Sequence, residues 1–307
     1  NISSDATSPN ASLRSLAVTF SNVSEDDYRL TPDSFLAKDQ GSDLSSLSFF
    51  NKDVIENQRG QDGSWDIGFH EAPARIYRSI GQGTIGALAT GTGNDLLINN
   101  GVASFGVALA DNIGVGDALQ YDSDGNGSID SLVFISYRNS STSYVVRTNT
   151  GALPSDLVSA DNDWSIFRAF TSRAGIDSPS VENASLDPAV SDFETYTNGE
   201  DLVSLNTQRY FAFYADAVFS GGLDADNWDV NWQKMNEIVY FAPKEAHHVG
   251  VSQRHSGYYD ESKVLIEAGG DVGVDTNFPI KVIGLQIKVT SDSTTDHGIG
   301  GNFSKHA

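Results

Sequence analysis

The feature that most constrains the fold is punctuation. Gly, Ser, Thr, Asn and Asp recur so often that a turn signal falls about every 8 to 12 residues, and helical periodicity is poor almost throughout. Between the turns lie short strand-like runs: Leu13 to Phe20, Ile113 to Tyr121, Leu132 to Tyr137, Ser143 to Thr148, Arg209 to Phe219, Glu237 to Phe241, Lys263 to Glu267 and Ile280 to Thr290. This pattern predicts a mainly β chain built of β-sandwich or jelly-roll-like modules with few short helices. The last run sets apolar Val282, Leu285, Ile287 and Val289 among polar Lys281, Gln286, Lys288 and Thr290, as in a half-buried strand, with Gly284 breaking the alternation. One short helix is expected near Thr31 to Ala37, where Thr31-Pro32-Asp33 supplies an N-cap and a first-turn proline. No strict internal repeat is visible, so a solenoid of identical units is not expected.

Charge narrows the partners. The 307 residues carry 41 Asp+Glu against 19 Lys+Arg, a formal charge of −22. Such a chain is repelled by nucleic-acid phosphates and by anionic membrane surfaces, so neither is an expected partner. No apolar run approaches the ~18 residues of a membrane span. With no cysteine there is no disulfide, no thiolate metal site and no cysteine nucleophile. The chain opens on Asn1 with no initiator Met, so a removed leader or a longer product is expected. Composition divides it into an acidic N-terminal region (1–78), a Gly-rich β module (79–175) and a C-terminal β domain (176–307) that holds most of the histidines.

The strongest local signal is Asp122-Ser123-Asp124-Gly125-Asn126-Gly127-Ser128-Ile129-Asp130. Asp122, Asp124, Asn126 and Asp130 set side-chain oxygens at positions 1, 3, 5 and 9, Ser128 offers its backbone carbonyl at position 7, and Gly127 permits the sharp turn. Hard oxygen donors on a flexible loop suit Ca2+ better than the tighter octahedron of magnesium. The twelfth position is Val133 where an EF-hand has Glu, and the loop runs into the strand-like Leu132-Val133-Phe134-Ile135, so a calcium-clasped β-turn is expected. The loop resembles the D-x-D-x-[DN]-G-x-x-D turn of integrin-type FG-GAP blades. A structural ion is the role implied, since a sensor needs a helix pair that opens.

A wider resemblance runs through Gly114 to Tyr121, Phe134 to Arg138, Tyr144 to Val146, Asp163 to Ser172, Val249 to Gly257 and Ile283 to Ile287. These stretches are similar to calcium-loop β modules of large secreted bacterial surface proteins and virion structural proteins. That resemblance implies an extracellular location and segments that often lead into a parallel β-helix. It attaches no activity.

Other constellations are weaker. Asp224, Asp226 and Asp229 form a second oxygen cluster for a cation, with an ordinary acidic loop as the simpler reading. Trp228, Trp232, Tyr240, Tyr258 and Tyr259 could stack on sugars, although aromatic residues in β-rich proteins more often build cores. No H-E-x-x-H or G-x-S-x-G motif occurs, and no enzyme activity is expected. The leading expectation is a secreted, calcium-stabilised structural protein, a homo-oligomeric or polymeric subunit of a surface filament, surface layer, adhesin or virion. In it the strand Leu13 to Phe20 could pair with a sheet edge on a neighbour. The alternatives are a carbohydrate-binding adhesive module that uses the aromatics, and a calcium-dependent polysaccharide lyase or hydrolase. For the last, Arg209, Arg254 and Lys263 stand out among few basic residues.

Overall fold

A computed structural model describes residues 20–22, 27–30, 37, 41, 46, 51–60, 65–68, 70–176, 182–196, 199–225, 228–269, 274–276, 278–289 and 300–301. The chain is mainly β. It forms two compact units, one of Asn1–Arg75, Leu202–Gln208 and Asn231–Asn236, the other of Ile76–Asp201, Arg209–Val230 and Glu237–Ala307. Among the described residues the strands are β1 (Phe20–Asn22), β2 (Asp27–Leu30), β3 (Ala74–Gly81), β4 (Ala89–Thr90), β5 (Leu96–Asn99), β6 (Val102–Phe105), β7 (Ala118–Tyr121), β8 (Ser131–Ser140), β9 (Ser143–Arg147) and β10 (Trp164–Phe167). They continue with β11 (Thr207–Tyr214), β12 (Phe219–Ser220), β13 (Leu223–Ala225), β14 (Ile238–Phe241), β15 (Leu265–Ala268), β16 (Val274–Thr276), β17 (Ile280–Ile283), β18 (Gln286–Val289) and β19 (Gly300–Gly301). The single described α-helix, α1, is the one turn Leu202–Leu205. Among the described residues no helix is long and apolar enough to cross a membrane.

In the smaller unit β1 and β2 pair antiparallel, and Leu30, Ala37 and Ala72 gather into a small apolar cluster. Buried acids there take the place of a sheet ladder. Asp53 accepts the N–H groups of Ile55, Asn57 and Glu71, Asp66 accepts that of Ala72, and Glu71 accepts those of Gly60 and Asp66. Irregular backbone can be buried when every donor finds an acceptor. Of the expected strand Leu13 to Phe20 only Phe20 is described, and of the expected helix Thr31 to Ala37 only Ala37; the rest lie outside the described residues.

The larger unit joins two β architectures. A seven-stranded antiparallel sheet runs in the order β4-β10-β7-β8-β9-β6-β5. Beside it the chain winds through three parallel coils. Coil one is β11, β12 and β13, coil two is β14, β15 and β16, and coil three is β17, β18 and β19. Each strand pairs in parallel with its counterparts in the neighbouring coils. Within the mainly β class this is the difference from the expectation: sandwich modules pair antiparallel, and these strands stack as a short solenoid. An alternating strand reads the same in either setting, because the pleat alternates whatever its partner.

One face of β11 and β14 (Ala212, Tyr214, Val239, Phe241) packs with Leu119, Val133, Ile135, Trp164 and Ile166 of the antiparallel sheet. The opposite face lines the solenoid, where Phe211, Phe213, Phe219, Trp228 and Tyr240 meet edge to face or tilted. Two buried ion networks cross this unit. Arg168, next after β10, donates to both oxygens of Asp117 at 2.9 Å and to Asp216 at 2.8 and 3.0 Å. Arg78 on β3 and Arg209 on β11 share Glu194, and Arg209 also holds Glu200.

Candidate metal centre

Residues 122–130 connect β7 to β8. The hairpin is in register, with Tyr121 opposite Ser131 and Leu119 opposite Val133, so the loop departs from a fixed base. Asp122 N–H donates to Asp163 O and Asp130 N–H to Tyr121 O, which ties both ends of the loop to the sheet. Val133, where an EF-hand places its glutamate, is buried in β8. Strand leads to loop leads to strand, as the sequence predicts.

Within the loop the carboxylates face inward and collect backbone donors. Asp122 accepts from Asp124 N (3.1 Å), Gly125 N (2.8 Å) and Gly127 N (2.5 Å). Asp130 accepts from Ser123 N (2.9 Å) and Ser123 Oγ (3.0 Å), while Asp124 accepts from Asn126 N and from the Asn126 side-chain amide. This wrapping needs positive φ at Gly125 (74°) and Gly127 (84°), where a Cβ is strained.

One oxygen from each of Asp122, Asp124 and Asp130 lies within 4.8 Å of the others. Oxygens bound to one calcium at about 2.3–2.6 Å stand at most about 5 Å apart, so the three fit a common ion. Each carboxylate has about four lone-pair sites, so accepting backbone N–H groups leaves capacity for a cation. Burial pushes the Asp122 carboxyl up, yet the N–H groups of Gly127, Gly125, Asp124 and Asn126 outweigh it, and its pKa lies below the usual value. Asp130 follows the same logic: burial raises it, the bonds from Ser123 and Ser131 lower it further, and the nearby Asp122 charge does not reverse the result. The loop therefore keeps anions side by side by surrounding them with donors. Asp122 is buried, whereas Asp124, Asn126, Ser128 and Asp130 are exposed at the tip.

Among the described residues no second group of acids converges in this way. Asp224 lies on β13 in register with Asp275, Asp229 is exposed and bridges to Asp201, and Asp226 lies outside the described residues. Trp228 is a correction to the sugar-stacking set. It is 4% exposed and packs against Tyr196 and Phe211, so its faces are spent on the core. Tyr240 is likewise fully buried, between Phe211 and Phe213. Trp232 sits in the 3-10 turn Trp232–Lys234. Tyr258 and Tyr259 are 82% and 57% exposed on the segment that joins β14 to β15. Among the basic residues, Arg209 is buried against Glu194 and Glu200, Arg254 donates to Ala242 O, and Lys263 donates to Ser252 O.

The two arginine networks went unread in the sequence. Their partners lie far apart along the chain, and only the scarcity of arginine among so many acids hinted that each one is committed. No family model matches the chain, and neither do any curated protein or any solved structure.

Proposed function

We propose that the chain is a calcium-stabilised structural protein of an extracellular assembly, a subunit of a surface filament, surface layer, adhesin or virion. The observation that carries the reading is the convergence of Asp122, Asp124 and Asp130 on a loop clamped between two strands. A divalent cation there offsets two of the three carboxylate charges and pins the β7–β8 hairpin. The loop has no flanking helices to swing, so binding is read out as stability. It also lacks the bidentate Glu of high-affinity sites, which suits the weak, roughly 10⁻⁴–10⁻³ M affinities of extracellular calcium modules. The three-coil solenoid supports the structural part, since stacked coils are scaffolds that extend by adding strands.

The test is a melt. A ligand bound only by the native state stabilises by RT ln(1 + [L]/Kd), so calcium at about 100 Kd adds about 2.7 kcal/mol. Calcium raises the Tm, chelator reverses the rise, and Asp122→Asn abolishes the response. A wild-type melt indifferent to calcium overturns the calcium part of the proposal.

Exposed Tyr258 and Tyr259 favour a second reading, a carbohydrate-binding adhesive module. The Tyr259 hydroxyl donates to the Glu261 carboxylate. Loss of binding to a glycan array in the Tyr258→Ala, Tyr259→Ala double variant would establish it; a wild-type array without hits removes it. A calcium-dependent lyase needs a basic group beside the loop, and Arg209, Arg254 and Lys263 hold partners elsewhere.

A further inference from the structure

Asp187-Pro188 is the one Asp-Pro bond of the 307 residues, and it lies between β10, the last strand of the antiparallel sheet, and β11, the first of the parallel coils. Such a bond can be broken by its own side chain. The carboxyl reaches the carbonyl carbon of the same residue through a five-membered ring, and the departing group is the basic secondary amine of proline. The fold arranges the reacting groups. The main-chain oxygen of Asp187 accepts the N–H groups of Val190 and Ser191, both at 2.9 Å, so two donors stand where negative charge develops when the carbonyl carbon is attacked. Asp187 Oδ1 accepts the Ala189 N–H at 2.9 Å, which turns the carboxylate toward the bond that follows it. The Asp187 N–H donates to Oε1 of buried Gln120 on β7 at 2.8 Å, and the Gln120 amide donates in turn to Ser165 Oγ on β10 at 3.1 Å. Leu186 and Val190 are buried on either side, while Pro188 and Ala189 face solvent. The carbonyl is clamped and the leaving group is open to water.

We propose that the folded chain cuts itself between Asp187 and Pro188. A carboxyl oxygen of Asp187 bonds to the Asp187 carbonyl carbon, the carboxyl proton passes to the Pro188 nitrogen, and the C–N bond breaks. This leaves a cyclic anhydride on Asp187 and a free proline amine. One water then opens the anhydride to two carboxyl groups. Nothing is oxidised or reduced, and water is the only co-reactant. The cut divides the chain into 1–187, which carries the antiparallel sheet, and 188–307, which carries the parallel coils. The pieces stay together. The face of β11 and β14 still packs on Leu119, Val133, Trp164 and Ile166, and Arg78 of the first piece still holds Glu194 of the second. The bond is thus a processing site that frees two chain ends on an exposed turn without dissolving the fold.

Mass spectrometry of the intact chain, held at one mildly acidic pH both folded and in unfolding urea, tests the proposal. The folded chain is expected to release 1–187 and 188–307 about tenfold faster than the unfolded one, because only the fold supplies the clamp and the two donors. The cleaved material elutes as one particle in native buffer and as two chains in denaturant. Asp187→Ser keeps a capping oxygen for the Ala189 N–H but has no carboxyl, and it stays whole. Pro188→Ala keeps the carboxyl, replaces the leaving group and slows the cut. Gln120 is a positioning residue, so Gln120→Leu slows cleavage of the folded chain and leaves the rate in urea unchanged, a split that the lability of the dipeptide alone does not produce. Thermal melts matching wild type show that a variant is folded, and Asp187→Ser, on a surface turn, carries the test where Gln120→Leu fails that control. Cleavage no faster in the folded chain than in urea, no cleavage in either, or cleavage that persists in Asp187→Ser overturns the proposal and leaves 187–191 as a capped turn.

Discussion

Arg168 shows what a guanidinium does in a chain with more than twice as many acids as bases. Burial pulls its pKa down, Asp117 and Asp216 more than restore it, and its Cζ lies 3.5 Å from the centre of the Tyr214 ring. Leaving one partner of such a network alone in the interior costs more than the bond itself is worth. Asp216 is the accessible handle. Burial raises its carboxyl, and the bonds and charge of Arg168 with the Thr84 hydroxyl outweigh it, so its folded pKa is depressed. A depressed carboxylate contributes stability that is present above the unfolded pKa and lost as the pH falls through the folded one. Asp216→Asn therefore lowers stability by roughly 2 kcal/mol at neutral pH, and urea melts show the gap to wild type closing below about pH 4. Gly127 offers a separate handle in the 122–130 loop. Nothing lies within 4 Å of an added Cβ, so Gly127→Ala meets only the backbone cost of positive φ, about 1–2 kcal/mol, read from thermal melts without calcium. Residue-scale legibility follows sequence distance. The loop acids lie within nine positions and announce themselves, whereas Arg78 meets Glu194 across 116 residues and no local pattern encodes that.

At the scale of elements, strands form within the expected runs that fall among the described residues, and the errors fall at corners. Leu132 to Tyr137, Ser143 to Thr148 and Glu237 to Phe241 become β8, β9 and β14 nearly as bounded. Arg209 to Phe219 and Ile280 to Thr290 each prove to be two strands in two different sheets, because the solenoid turns a corner inside an apolar run. Gly284, which breaks the alternation of the second run, is that corner: its φ is 70° and a Cβ would press on the Arg254 side chain. Gly284→Ala is expected to cost roughly 2 kcal/mol, with denaturant melts and hydrogen exchange showing the loss in β17 and β18. Asn100-Gly101, both at positive φ, form the turn between β5 and β6, a signal present in the sequence and not used. The coils themselves were hidden by unequal length. The steps from Phe211 to Tyr240 and on to Val282 are 29 and 42 residues, and those from Phe219 to Ile266 and on to Ile287 are 47 and 21. Insertions of this size erase any period while leaving every register pair intact.

For the whole molecule, the −22 charge sets a repulsive background that the structure relieves only in places. Asp53, Asp66, Glu71, Asp117 and Glu194 are buried and spend their charge on backbone donors or arginine. The three loop acids stand with oxygens within 4.8 Å of one another, and on the proposed reading one calcium would offset two of the 22 charges. Other described acids, such as Asp95, Asp156 and Asp163, face solvent, where repulsion among like charges opposes the compact state and is screened by salt. The Debye length falls from about 30 Å at 0.01 M to about 8 Å at 0.15 M, so the repulsion is damped while buried pairs such as Arg168–Asp117 are scarcely screened. Two increments follow, and they separate. Raising KCl over that range raises the Tm of wild type and of Asp122→Asn alike, because the general repulsion is common to both. Adding calcium at constant ionic strength raises wild type further and leaves Asp122→Asn where it was. Differential scanning calorimetry of the two proteins in the four buffers reads both increments. A Tm that falls with KCl would mean exposed ion pairs such as Lys281–Glu237 and Lys288–Glu267 outweigh the net repulsion, so the surface charge would be organised rather than merely in excess.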